Sequence, residues 1–248
     1  NVGDNASHAG FYSILNDLIA DYNVQQVEIR KFYLNYRRND KKFFDRKFID
    51  FANSFDLVVF GGGGFLDYWV PGSPSGTTIG IEPSLLRKLN SLTLITSMGS
   101  LPKTEVPEEN IAKYKKFLDT AFDKENITIA FRNDGSKAAV CNGLGSVYSE
   151  RIEEVLDNGF FYEPSEAFSR IVEPDYVTVN VAADQVRLLS ASQSEFSEKN
   201  FYSEIRRAIH EIINFLGLHV VLVPHVYCDL EAIHQILSEI NDYDLRKN

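Results

Sequence analysis

From Ser7 onward the apolar residues Phe11, Ile14, Leu15, Leu18 and Ile19 recur at helical spacing with polar residues between them, which predicts an amphipathic helix. A β-rich stretch from Val27 to Tyr33 follows. Phe44, Phe48, Phe51, Ala52 and Phe55 then trace a second helical stripe, whose phenylalanines read as core. Leu57-Val58-Val59-Phe60 is a short continuous apolar run that stops at Gly61 to Gly64, as a buried parallel strand stops in a loop. The same grammar repeats: helix Pro83 to Leu89 before strand Leu92 to Thr96, then helix Glu108 to Phe122 before strand Ile127 to Phe131. A helix over Asp134 to Cys141 and a strand-like Ile152 to Leu156 complete the series. This alternation predicts an α/β fold built on a parallel sheet with helices on both faces, in the Rossmann-like manner.

The stretch Asp157 to Pro174 holds two prolines, a glycine and several acidic residues without periodicity, as an interdomain connection does. The expected division is a first domain over residues 1–160, a connection over 161–174, and a partial second domain over 175–248. In the second domain the pattern predicts a strand at Tyr176 to Val181, a helix around Phe201 to Phe215, a strand at His219 to Val223 and a helix from Asp229 to Ile240. So short a βαβα unit rarely buries both faces of its sheet, so further chain is expected beyond Asn248. The chain opens at Asn1 rather than a methionine, which leaves room for a trimmed N-terminal piece.

Composition narrows the function classes. With 248 residues, 44% hydrophobic and 24% charged, the chain is a globular protein of enzyme size. A net charge of −10 repels nucleic acid and anionic membrane, and no basic stripe with interleaved aromatics overrides it, so no nucleic-acid partner is expected. The basic clusters Arg37-Arg38 with Lys41-Lys42, and Lys113 with Lys115-Lys116, read as a solvated loop and a solvated helix face. Two isolated cysteines, Cys141 and Cys228, fit buried free thiols rather than a metal site or a disulfide framework. Neither a transmembrane segment nor a signal sequence is visible, which predicts a cytoplasmic protein.

Candidate chemistry gathers where strands end. Gly61, Gly62, Gly63 and Gly64 free the backbone to turn sharply and aim N–H groups at an anion, yet no Walker or dinucleotide pattern continues them. Asn1, Gly3 and Asp4 lie in a polar turn before the first helix, placed either to cap it or to line a cleft. Arg132 follows a strand and precedes a helix, so its guanidinium is placed to fork a carboxylate or phosphate while Asp134 or Ser136 caps; a structural salt bridge is the alternative. His225 sits at a strand end four residues before Asp229, as an acid–base pair would. The loop Asp67 to Thr78, with Tyr68 and Trp69, is either a sugar-stacking loop or a packed one.

In order, these pieces resemble the polysaccharide pyruvyl transferase family. The resemblance rests on Asn1-x-Gly3-Asp4, on Asp56 to Phe60 running into Gly61 to Gly64 and Phe65-Leu66, on Arg132 with Ser136, on Asp157-x-Gly159-Phe160, and on Val223-Pro224-His225 before Asp229. It spans nearly the whole chain. Three features depart from the family pattern: Asn133 stands where aspartate usually follows the motif arginine, no strand precedes the Asn-x-Gly-Asp turn, and no Arg-x-His element appears before Asn248.

The resemblance implies two Rossmann-like lobes of the two-lobe, GT-B-like glycosyltransferase architecture, the second incomplete. It also implies an enzyme that transfers pyruvyl from phosphoenolpyruvate to a sugar of a cell-envelope glycan or lipid-linked saccharide as a ketal, in exopolysaccharide biosynthesis at the inner face of the membrane. The reaction requires no metal or other cofactor. Gly61 to Gly64 and Arg132 are the expected anion ligands, with Asn1, Gly3, Ser136, Asp229 and Trp69 as further substrate contacts. His225, Asp134, Asp157 and Asp4 are the candidate acids and bases, with roles undivided. A sugar-nucleotide glycosyltransferase and a non-catalytic glycan-binding protein are the competing readings. The acceptor sugar and the oligomeric state are left open.

Overall fold

The computed structural model describes residues 2–102, 104–164, 172 and 175–240. The chain divides into two compact units, Asp4–Glu163 and, separately, Pro164–Asn248 with Asn1–Gly3. The fold is mixed α/β, with eight α-helices among the described residues, none long and apolar enough to cross a membrane.

In the first unit, helices α1 (Val2–Leu18) and α2 (Arg46–Ala52) precede strand β1 (Leu57–Gly63). There follow α3 (Pro83–Leu86), β2 (Leu92–Met98), α4 (Glu108–Phe122), β3 (Ile127–Arg132), α5 (Ser136–Leu144) and β4 (Glu153–Val155). The strands form a parallel sheet in the consecutive order β1-β2-β3-β4. Register aligns Val58 with Thr93 and Ile127, and Phe60 with Ile95 and Ile129, so that this face of the sheet is apolar but for Thr93, which is buried with its hydroxyl on the Ser91 carbonyl. Tyr114, Phe117, Leu118 and Ala121 of α4 bury against the same core. The other face carries the row Val59, Leu94 and Thr128, part-exposed or exposed.

The sheet and the helices between its strands follow the expected alternation. Right-handed crossovers laid down in consecutive strand order put α3, α4 and α5 on one face, and α4 packs against both α3 and α5. Val27 to Tyr33, expected to be β, is instead a 3-10 turn over Ile29–Phe32. No strand lies alongside it among the described residues, and β preference is expressed only through pairing. Phe32 is buried by stacking on Phe44 at 4.4 Å and meeting Phe48 edge-on at 5.3 Å. The expected polar turn before the first helix is also replaced, because α1 begins at Val2 and Asp4 lies in its first turn, where a carboxylate suits the positive end of the helix.

The second unit has a two-stranded parallel sheet of β5 (Tyr176–Val179) and β6 (His219–Leu222). Helices α6 (Ala183–Ser192), α7 (Glu198–Leu216) and α8 (Asp229–Ser238) complete it, and α6 was not expected from the sequence. Val181, Val186, Tyr202, Ile209, Ala232, Ile236 and Ile240 form its core. Asp229 ties its strand ends together. At 1% exposure its carboxylate accepts the N–H groups of Ala183 (3.0 Å), His225 (2.9 Å) and Val226 (3.1 Å).

Burial alone would raise the Asp229 pKa, but those N–H groups and the Asn180 amide outweigh it and hold the carboxyl below its ordinary value. The resulting stabilisation is present above the unfolded-state pKa of about 3.9 and is lost as pH falls through the lower folded value. Asp229→Asn, which turns an acceptor into a donor against those N–H groups, is expected to cost the second unit about 3 kcal/mol at neutral pH. Hydrogen exchange of the β5 and β6 amides checks this: protection falls in the variant at pH 7, and the gap to wild type narrows below about pH 4. Equal protection at pH 7 would remove Asp229 as the tie.

Candidate anion site

The C-terminal ends of β1, β2 and β3 point the same way, since the strands are parallel, and the loops that leave them meet. Gly99, just past β2, is where they meet. A Cβ built on it would lie 2.8 Å from Arg132 Nη2 and 3.1 Å from Gly64 Cα, so a side chain there would push the guanidinium aside and crowd the Gly64 backbone. Gly99 also donates its N–H to Gly63 (2.8 Å) and accepts from Leu66 (3.1 Å), which fixes the two loops to each other.

Arg132 is held between two carboxylates. Nε donates to Asp134 at 2.5 Å and Nη1 to Asp157 at 3.3 Å, while Nη2 makes no hydrogen bond among the described residues. Burial alone would lower the arginine's pKa, but the two carboxylates outweigh it and raise it, so the guanidinium stays charged. For Asp134, burial would raise the pKa; the Ser136 hydroxyl and Arg132 outweigh it and hold the carboxyl below its ordinary range. Each carboxylate is also anchored away from the arginine: Asp134 Oδ1 accepts from Ser136 N and Oγ, and Asp157 Oδ1 accepts from Gly159 N. Asn133 therefore does not leave the arginine without its acid, because Asp134 reaches Nε from the next position.

Gly61 to Gly63, expected in a loop, are the last residues of β1, and the packing around them is tight. Gly62 has φ +54°, and a Cβ on it would fall 1.8 Å from Ser7 Oγ. Ser7 and Asn158, 4% and 5% exposed, border Gly62 and Gly61, and Ser7 Oγ and Asn158 Nδ2 have no hydrogen-bond partner among the described residues. Ser97, at the end of β2, is the one non-glycine residue among those described with positive φ (54°), a conformation that costs about 1–2 kcal/mol. Its hydroxyl accepts the Asn158 N–H at 3.0 Å. A backbone held off its preferred conformation beside unpartnered polar atoms is a recurrent mark of a binding site.

The structure thus brings together Gly61 to Gly64, Arg132, Asp134, Ser136 and Asp157. Ser136 is fully buried, its hydroxyl accepting from Ser100 N (2.7 Å) while donating to Asp134, so it supports the site rather than facing a ligand. Asp4 is paired with Arg30. Gly3 lies in α1, and Asn1 falls outside the described residues. Of the aromatic loop, Tyr68 is buried against Tyr114, and Ser73, Ser75 and Thr77 are buried and hydrogen-bonded to one another or to nearby carbonyls; this is the packed alternative. Trp69 is part-exposed, and its buried Nε1 has no hydrogen-bond partner among the described residues.

In the second unit His225 is exposed and meets Asp229 through its backbone N–H rather than its imidazole, which corrects the expected acid–base pair. Asp229 clusters with Asp184 and Cys228, but its oxygens are already engaged by N–H donors, so the cluster is a loop tie rather than a metal centre. Both cysteines are free and only part-buried.

Ser97, Gly99, Ser7 and Asn158 were not among the residues expected at the site. The signal for two of them was present: Ser97-Met98-Gly99-Ser100 follows a strand with small residues, as Gly61 to Gly64 does. Comparisons with protein-family models, with curated proteins and with solved structures found no match for this chain.

Gly62→Ala is expected to destabilise the first unit by about 2–4 kcal/mol, combining the left-handed backbone with overlap on Ser7. Because the collision is with the Ser7 side chain, Ser7→Gly should recover part of that loss in a double-mutant cycle read by chemical denaturation. Strict additivity would show that the two residues do not meet.

Proposed function

We propose that the chain is a polysaccharide pyruvyl transferase, and that its phosphoenolpyruvate site is the surface where Gly64, Gly99 and Arg132 close on one another. The observation that carries this reading is the charged guanidinium seated against a side-chain-free seam at the C-terminal ends of parallel strands, the edge at which open α/β sheets bind ligands. The order of motifs along the chain supplies the family, and the wider two-lobe architecture belongs to the same proposal.

The chemistry asks for charge and little else. One acceptor hydroxyl adds to the enolpyruvyl carbon as the methylene takes a proton, phosphate leaves from an oxocarbenium-like centre, and a second hydroxyl closes the ketal; the two hydroxyl protons balance those gained by methyl and phosphate. Arg132 holds the donor's anionic group through Nη2. Asp157, whose pairing with the arginine is the longer, gives way to that group at Nη1, while Asp134 keeps its grip on Nε and with it the orientation of the fork. Asp157, released beside the reacting carbon, is the nearest candidate for the proton transfers.

The experiment is calorimetric titration with phosphoenolpyruvate. Arg132→Lys keeps the charge but loses the planar fork and should weaken donor binding by about 1–3 kcal/mol, with acceptor glycan binding unchanged. Asp157→Asn removes a competing carboxylate and should tighten donor binding while abolishing transfer. Unchanged donor affinity in folded Arg132→Lys would reduce this arginine to a salt-bridge partner, and preferential binding of sugar nucleotides would favour a glycosyltransferase.

A further inference from the structure

Residues 28–47 hold eight of the chain's 25 Lys and Arg and only three of its 35 Asp and Glu, a local charge of +5 within a chain of −10. The rest of the molecule is correspondingly acidic. Folding leaves much of this basic charge uncompensated. Arg30, Lys31 and Arg46 pair with Asp4, Asp40 and Asp50, but Arg37, Arg38, Lys41, Lys42 and Lys47 have no carboxylate partner among the described residues.

The segment is also built to present those cations in a fixed shape. The Leu34 carbonyl accepts from both Arg37 Nη1 (2.8 Å) and Lys41 Nζ (2.9 Å), and Asp40 is gripped by Lys31 and by the Tyr36 hydroxyl, each at 2.7 Å. Lys42 N bonds back to Lys31 O at 2.9 Å, which closes the loop. Phe44 anchors it to the core by stacking on Phe32 and meeting Phe48 at 5.0 Å. Its neighbour Phe43 takes the opposite course: 62% of it is exposed, Lys41 Nζ lies 5.6 Å from its ring, and Leu34 nearby in the chain is 37% exposed. A fixed loop carrying unpaired cations around an exposed aromatic has the composition of a bilayer-surface anchor.

We propose that this loop docks the protein on an anionic lipid surface, with Arg37, Arg38, Lys41 and Lys42 on the headgroups and Phe43 in the boundary between headgroups and acyl chains. Nucleic acid fits less well. It asks for successive exposed rings along a basic groove, whereas here Tyr33 packs towards Phe65, the Tyr36 hydroxyl is committed to Asp40, and Phe43 is left alone. A strand tracking further would also meet acidic surface, which a bilayer touched at one loop avoids. The proposal does not depend on the reading of the anion site.

Co-sedimentation of the whole chain with vesicles tests it. Binding is expected to vesicles of phosphatidylglycerol and phosphatidylcholine in equal parts, to fall with added salt, and to be absent with phosphatidylcholine alone. Each removed cation should cost about fivefold in partitioning, so Arg37→Gln with Arg38→Gln should lose more than tenfold. Lys115→Gln with Lys116→Gln, the same charge change on α4, should lose little. Phe43→Trp should give tryptophan emission that shifts to the blue on anionic vesicles. Absence of binding to anionic vesicles, equal loss in the α4 variant, no blue shift, or binding to single-stranded RNA in preference to vesicles would each overturn the proposal.

Discussion

The strand ends of the first unit close on one another at Gly99, where a side chain would have to displace the Arg132 guanidinium and crowd the Gly64 backbone. The Gly63 carbonyl and the Leu66 N–H reach the Gly99 backbone, Gly64 comes within van der Waals range, and the Arg132 guanidinium settles over the same spot. Register extends the constraint into the sheet, because Gly63 pairs with Met98, and Met98 with Phe131 across a local shift after Ile95. That shift turns Ser97 into a left-handed conformation and brings its hydroxyl to the Asn158 N–H. Glycine seam, bulged strand and arginine are thus one feature of the packing. The buried core beneath, from Phe60 through Ile95 to Phe131, supplies the stability that tolerates the strain.

The electrostatics of the seam are poised rather than simply positive. Arg132 lies between Asp134 and Asp157, so the local charge is negative before any ligand arrives. An incoming anion must therefore compete with a carboxylate, and the two carboxylates are unequal competitors. Asp134 is held by Ser136, itself fixed by Ser100, while Asp157 has the longer ion pair and its other oxygen on the Gly159 N–H.

Much of this was legible in the chain itself. Apolar runs gave β2 and β3 within two residues and the start of β1, and the period of α4 gave its bounds, because those elements bury one continuous face; β1 itself runs on through Gly63, so that three of the four glycines expected in a loop are strand. Gly61 to Gly64 and Arg132 stood out through composition and position. What was not legible depends on partners distant in sequence. Val27 to Tyr33 has β-like residues but no adjoining strand, and the left-handed Ser97 follows from a register shift that no local pattern encodes. The role of Asp229 was hidden for the same reason: it looks like an acid beside a histidine, and it is a carboxylate consumed by backbone N–H groups from two loops.

The most direct test of the account is a crystal structure of the chain with phosphoenolpyruvate. The account predicts the donor's anionic group against Arg132 Nη2 on the Gly64–Gly99 seam, with Asp157 withdrawn from Nη1 and Asp134 still on Nε. Donor bound elsewhere, with both carboxylates still on Arg132, would contradict it.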